Sequence, residues 1–140
     1  MKKMFLDANI CLDLLDTTRR NAKETISWYL SNLDNKDIDF YFSGDFITTF
    51  YYILSERKKI DKQKVVFAIK ELSKEIKPIF ITNQDYLNAY IDFENGKFRD
   101  FEDLIILNSA ISCDIFITND IDLLELKKFK GLKIIKPESN

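Results

Sequence analysis

Two periods alternate in the apolar positions of this 140-residue chain: short β-rich runs and longer helical stripes. Residues 3–7 form a short apolar strand ending on an acid, Asp7, and the run Ile10 to Leu15 reads as a buried helix. Over 20–33 the positions Ile26, Trp28, Tyr29, Leu30 and Leu33 keep helical spacing. Residues 38–42 are rich in β-formers and predict a second strand. Ser43 is placed to cap a helix that continues through Phe46, Ile47, Phe50, Tyr51, Ile53 and Leu54. Asp61 caps the next helix, whose stripe is Val65, Val66, Ile69, Leu72 and Ile76. A third strand is predicted over 78–82, and Asn83 caps a helix through Tyr86, Leu87, Tyr90, Ile91 and Phe93. Residues 94–97 read as a loop. A helix over 100–113, a strand over 115–118, a short helix over 120–129 stopped by Gly131, and a strand over 132–135 complete the pattern.

Strands that alternate with helices predict an α/β domain with a mainly parallel sheet. In such sheets functional groups gather at the carboxyl ends of the strands. Asp7 ends the first strand, and Thr118-Asn119-Asp120 ends the fourth. Asp100, Glu102 and Asp103 begin the helix that feeds that fourth strand, so the chain order brings several acids to one sheet edge. Crowded carboxylates repel, and burial raises the cost unless a cation or protons neutralise them. A cluster of hard oxygen ligands suits Mg²⁺ or Mn²⁺.

Composition narrows the chemistry. The chain contains no histidine, which removes Ser-His-Asp and Cys-His catalysis, His-ligated zinc and imidazole acid–base work. At 46% hydrophobic the chain supports one compact domain over 1–140 with a sizeable core. Its 21 basic and 23 acidic residues leave a net charge of −2, so only local clusters speak for or against nucleic acid. Cys11 and Cys113 sit in apolar surroundings and read as buried free thiols of a reducing compartment. The start of the chain becomes charged too soon for a signal peptide, and no apolar run approaches membrane-spanning length. A cytoplasmic protein with no membrane partner is expected.

Taken together, these motifs resemble the PIN-domain nucleases, including the VapC-type toxins of toxin–antitoxin pairs. Residues 5–13 (FLDANICLD) are similar to the family's opening strand, with its acid at Asp7 and its Asn at Asn9. Residues 100–103 (DFED), followed by a Leu/Ile/Ala-rich helix, are similar to its third motif, and 117–123 (ITNDIDL) to its fourth. The resemblance implies a three-layer α/β/α fold with a mainly parallel central sheet of about four to five strands. It also implies metal-dependent hydrolysis of RNA phosphodiesters, a cognate antitoxin protein and a homodimer. Asp7, Asp103 and Asp120 would hold Mg²⁺ or Mn²⁺, Asp122 or Asp100 would take or orient a proton, and Asn9 and Thr118 would fix the carboxylates.

One motif departs from the family. In the helix after the second strand, Thr49 holds the position where the family has an acid. Asp45 shares that helical face at about 6 Å, Glu56 shares it at about 10 Å, and Thr49 itself would serve only to orient water. This departure keeps a second reading open, a degenerate PIN-like module that binds RNA or protein without cutting. An acidic pocket repels RNA, so basic residues on its rim must supply the attraction; Arg19, Arg20, Arg57, Lys58 and Arg99 are the candidates, beside Lys23, Lys59, Lys62 and Lys64. Asp13 reads as a structural or supporting polar partner. A response-regulator receiver would need paired acids at the first strand, and haloacid-dehalogenase phosphatases need Asp-x-Asp where this chain has Asp-x-Asn.

Overall fold

The computed structural model describes residues 1–96 and 100–138. Strand β1 (Lys2–Leu6) occupies the middle of a six-stranded sheet, with α1 (Ala8–Leu15) and α2 (Ala22–Leu33) following it. Next come β2 (Ile38–Ser43), a 3₁₀ turn (Gly44–Phe46), α3 (Ile47–Tyr52), a π-helical turn (Ile53–Arg57), α4 (Lys62–Glu75) and β3 (Ile76–Ile79). The second half contains α5 (Asn83–Glu94), α6 (Phe101–Ser109), β4 (Ile115–Ile117), α7 (Ile121–Leu126), β5 (Lys128–Phe129) and β6 (Leu132–Ile135).

The sheet order is β3-β2-β1-β4-β6-β5. Every pairing is parallel except β5 with β6. Strand order runs outward from β1 in one direction through β2 and β3, then reverses to β4 and β6. The reversal opens a crevice between the carboxyl ends of β1 and β4, the usual position of a ligand site in such sheets.

Alternation along the strands divides the core into two halves. Leu6, Phe40, Phe42, Ile76, Ile115 and Ile117 face one side and pack against Ile10, Trp28, Val65, Ile69 and Leu72 of α1, α2 and α4. Phe5, Phe116 and Ile134 face the other side, against Ala89 of α5, Leu104 and Leu107 of α6 and Leu123 of α7. Helices therefore cover both faces, giving the expected three-layer α/β/α architecture. The short two-residue β5 raises the strand count to six.

Several local expectations are corrected. The last helix stops at Leu126 rather than running to residue 129, because Lys127 leaves the helical region with a φ of 66°, and Lys130 and Gly131, at φ 49° and 88°, then close a hairpin between β5 and β6. Two consecutive left-handed residues are what a tight hairpin turn needs. Strand β3 covers Ile76–Ile79 rather than 78–82, and Thr82, not Asn83, caps α5. The Thr82 hydroxyl accepts from Asp85 N while the Asp85 carboxylate accepts from Thr82 N. Asp61 caps α4 as expected, accepting from Lys64 N at 3.2 Å.

The segment after β2 departs most. Ser43 makes no capping bond, and the expected single helix is broken into 3₁₀, α and π turns. The Ser55 hydroxyl donates to Tyr51 O at 2.6 Å, a local bond that competes with the helical ladder and accompanies the wider turn. Val66 is exposed, as are Tyr86, Leu87, Tyr90, Ile91 and Phe93 on α5. There the core takes Ala89 and the buried Asp92 instead, so the apolar stripe faces outward.

The rings of Phe5 and Phe116 stack at 5.4 Å between centroids and 12° between planes, joining β1 to β4 in the middle of the second half-core. Both are fully buried. Phe116→Ala is expected to cost about 3–5 kcal/mol, read as a shift of the urea unfolding curve at unchanged m-value.

Candidate active site

At the β1–β4 crevice a single hydroxyl organises the polar groups. Thr118, fully buried, follows β4 and donates to Asp7 Oδ2 at 2.8 Å. The Thr118 hydroxyl oxygen in turn accepts from Asn9 Nδ2 at 3.1 Å and from Asp120 N at 3.0 Å. One donor and two acceptors exhaust what a threonine hydroxyl offers. Asp7 Oδ1 meanwhile accepts from Ala8 N at 2.8 Å and so caps α1, while Oδ2 also receives Asn9 Nδ2 at 3.2 Å. Asn9 turns its own oxygen to Asn119 N at 3.1 Å.

Asp120 caps α7, its Oδ1 accepting from Asp122 N at 2.9 Å and Leu123 N at 3.3 Å. Asp100 caps α6 in the same manner, accepting from Asp103 N at 3.2 Å. Helix N-termini are favourable places for carboxylates, which lets the fold tolerate acids at this density. Asp103 is the exception, being one turn inside α6 and half-buried. Burial first, then repulsion from Asp100, Asp120, Asp7 and Glu102, pushes its carboxyl up to about 7. Asp7 is also raised, mainly by burial with a contribution from the charge of Asp120; the bonds from Thr118, Ala8 N and Asn9 work against this. The four-way repulsion is the electrostatic sign that α6, β1 and β4 deliver their acids to one place.

Among the described residues no group of three acid or cysteine side chains stands so placed that it could hold a metal ion as it is. The physical reason lies in the caps. Asp7, Asp100 and Asp120 each hold at least one oxygen against backbone N–H groups. The donor set itself is all carboxylate, the chemistry that suits a hard divalent cation, and positive charge would relieve the repulsion that raises Asp7 and Asp103.

Other expected site residues go elsewhere. Asp45 lends Oδ2 to Ile81 N at 2.8 Å, and Glu56 lies 3.5 Å from Lys62 Nζ. Thr49 is exposed on α3. Asp122 is exposed in the first turn of α7. Arg19 is not a free surface cation: its Nε donates to Asp13 Oδ1 at 2.8 Å. Lys58 Nζ stands 3.9 Å from Asp16 Oδ2. Arg20 and Arg57 are exposed. Arg99 lies outside the described residues.

Asp13 is the residue whose importance spacing alone understated. Buried on α1, it also accepts from Thr25 Oγ1 at 2.7 Å and from Asn119 Nδ2 at 3.3 Å. It thus ties α2 and the α1–α2 loop to the loop that carries Asp120. The signal available in the sequence was an acid placed among Leu12, Leu14 and Leu15 in an otherwise apolar helix.

A three-layer α/β/α domain with acids gathered at the switch point of its parallel sheet is the class that these observations define. Residues 3–122 match the PIN domain family model, and the chain belongs to the PIN domain family. It is similar to ribonuclease VapC1 of Aquifex aeolicus, with 34% identity over 122 residues, 85% of this chain and 82% of that protein. Among solved structures it is similar in fold to the VapBC2 complex of Rickettsia felis bound to a promoter DNA fragment, at TM-score 0.69 and 15% identity, covering 96% of this chain and 98% of that one. It also resembles VapC20 of Mycobacterium tuberculosis, a toxin that cleaves the sarcin–ricin loop, at TM-score 0.66 and 12% identity, covering 93% and 98%.

The raised Asp103 sets a pH dependence. Burial and the neighbouring acids push its carboxyl from the ordinary 3.8 up to about 7 in the fold, so the folded chain binds this proton more tightly than the unfolded one. Its contribution therefore favours folding at acid pH and is lost as pH rises from 4 through 7. Without added metal, Asp103→Asn is expected to gain stability relative to wild type between pH 5 and pH 8, measured by urea unfolding at both values.

Proposed function

We propose that this chain is a metal-dependent endoribonuclease, acting as a single PIN-like domain and as the toxin of a type II toxin–antitoxin pair. The observation that carries the reading is the convergence of Asp7, Asp103 and Asp120 at the β1–β4 crevice, where their charges act on one another. Asp7, Asp103 and Asp120 would hold Mg²⁺ or Mn²⁺ between them. Bound there, the cation would supply Lewis acidity, lower the pKa of water and offset charge on the phosphate. Thr118 and Asn9 fix Asp7, and Asn119 fixes the start of α7 through Asp13. Asp122, exposed beside Asp120 in the first turn of α7, is the carboxylate that would take the proton from water or orient it, with Asp100, whose Oδ1 caps α6, as the alternative. Among the described residues, Arg20 and Arg57, like Lys23, Lys59 and Lys64, are exposed cations outside the ion pairs that hold Arg19 and Lys58, and they are the RNA-facing rim of this reading.

The antitoxin part of the reading has its own support. An apolar groove of about 430 Å³ runs between α1, α2 and α4, lined by Leu14, Ile26, Leu30, Phe67 and Leu72. Glu71 and Glu75 stand along one wall, and the buried hydroxyl of Tyr29 there has no partner. That lining suits an amphipathic segment bearing basic side chains. A homodimer is supported by the outward face of α5, where Tyr86, Leu87, Tyr90, Ile91 and Phe93 are all exposed. A cytoplasmic setting agrees with two free, buried cysteines and with the lack, among the described residues, of any helix long and apolar enough to cross a membrane.

Isothermal titration of Mn²⁺ into metal-free protein, followed by incubation with total RNA, tests the reading. Wild type is expected to bind Mn²⁺ and cut; Asp103→Asn is expected to lose binding and at least about a hundredfold in cleavage. RNA affinity without Mn²⁺ uptake or cleavage would instead establish the degenerate binding module, the reading favoured by the exposed Thr49 on α3.

A further inference from the structure

The exposed aromatic rings among the described residues are Tyr52, Phe67, Phe80, Tyr86, Tyr90 and Phe93. Phe67 lines the groove beside α4, Tyr86, Tyr90 and Phe93 belong to α5, and Tyr52 ends α3. Phe80 differs from these because it follows a strand, β3, at the carboxyl edge of the sheet. A single surface ring needs no explanation in itself; the way this one is held does.

The Phe80 ring is seated on the backbone of Gly44. A Cβ on that residue would stand 2.5 Å from Phe80 Cε1 and 2.7 Å from Cζ, where packed carbons keep about 3.5–4.0 Å. The ring thus fills the place that a side chain on Gly44 would take. On one side of Phe80 the chain is paired into the sheet, with Ile79 opposite Ser43. On the other, Ile81 N donates to Asp45 Oδ2 at 2.8 Å, and Thr82 closes the capping box with Asp85. Phe80 nevertheless stays 58% exposed. A ring already held in place loses little freedom when a second flat group lands on its open side.

Register relates this ring to the acids. Leu6 of β1 stands opposite Phe42 of β2, and Phe42 opposite Pro78 of β3. Asp7, Ser43 and Ile79 therefore form the next row, and Phe80 lies one residue beyond it. Two strand spacings separate the ends of that row by about 10 Å, roughly three phosphate spacings of a stacked strand.

We propose that Phe80 is a base-stacking residue, the open side of its ring taking a nucleobase of single-stranded RNA whose backbone crosses the acid crevice. A neutral ring adds affinity where the neighbouring carboxylates repel phosphate, and it accepts any base because every base has a π-face. The inference rests on the RNA reading of this chain and needs no cation.

Fluorescence anisotropy with labelled oligoadenosine, and with an abasic strand of equal length, tests it in EDTA, which withholds cleavage. Phe80→Leu keeps an apolar side chain over Gly44 and is expected to melt as wild type does. It is expected to bind oligoadenosine roughly 5- to 150-fold more weakly and the abasic strand equally well, while Phe80→Tyr matches wild type on both. Gly44→Ala, which unseats the ring without removing it, is expected to show the same selective loss. An equal loss on both strands would overturn stacking in favour of a structural role. No loss on either would also overturn it, leaving RNA binding intact and the ring to a protein partner. If wild type binds neither strand, the RNA reading falls and the proposal falls with it.

Discussion

The hydrogen bond from Thr118 to Asp7 is the contact on which the geometry of this crevice depends. It joins the carboxyl ends of β1 and β4, the two strands between which the sheet order reverses. Because the same oxygen accepts from Asn9 and from Asp120 N, the two loops cannot separate without leaving several buried polar groups unpaired. Each such loss costs more than the bond nominally gains, since the alternative partner, water, is excluded. The acids at this edge are therefore held by geometry despite their mutual repulsion.

That repulsion is managed rather than removed. Asp7, Asp100 and Asp120 are each bound to the N-terminus of a helix, where backbone N–H groups and the helix dipole favour negative charge. Asp103 has no such partner for its carboxylate, and its raised pKa is the part of the conflict that the fold leaves unresolved. Protons or a cation are the two ways to settle it. Elsewhere the fold pairs its buried acids directly. Asp13 meets Arg19, Thr25 and Asn119, and on the other face Asp92 meets Lys130 at 2.7 Å and Asn108 at 2.9 Å. These pairings lock α1 to α2 and α5 to α6 and the β5–β6 hairpin, so they fix the helices that carry the site. A buried carboxylate with three directed partners specifies one arrangement where apolar packing would permit several.

Much of the exposed apolar surface is concentrated in the groove beside α4 and on the outer face of α5, on opposite sides of the sheet, while Met1, Tyr52, Val66, Phe80, Ile111 and Ile121 lie outside both. A monomer exposing two such surfaces pays solvation costs that association would recover. The crevice with its acids opens at the strand ends, apart from the groove's helical walls.

Much of this was legible in the sequence. The alternation of short β-rich runs with helical stripes determined the α/β class, because the two periods reflect local geometry. The acids Asp7, Asp103 and Asp120 were legible for a related reason: strand ends and helix starts are positions that sequence pattern locates, and parallel topology sends them to one edge. What the tertiary structure decided were matters of partnership. Arg19 looks like surface charge until Asp13 is seen beside it, and Ser43 looks like a helix cap until the turn after β2 is found to begin without a bond from its hydroxyl. The stripe on α5 reads as core, yet the sheet is already covered there by α6 and by Ala89, so its aromatic rings face outward. Periodicity tells which side chains share a face of a helix. Only packing tells which face has a neighbour, and long-range pairs such as Thr118 with Asp7, 111 residues apart, have no local signature.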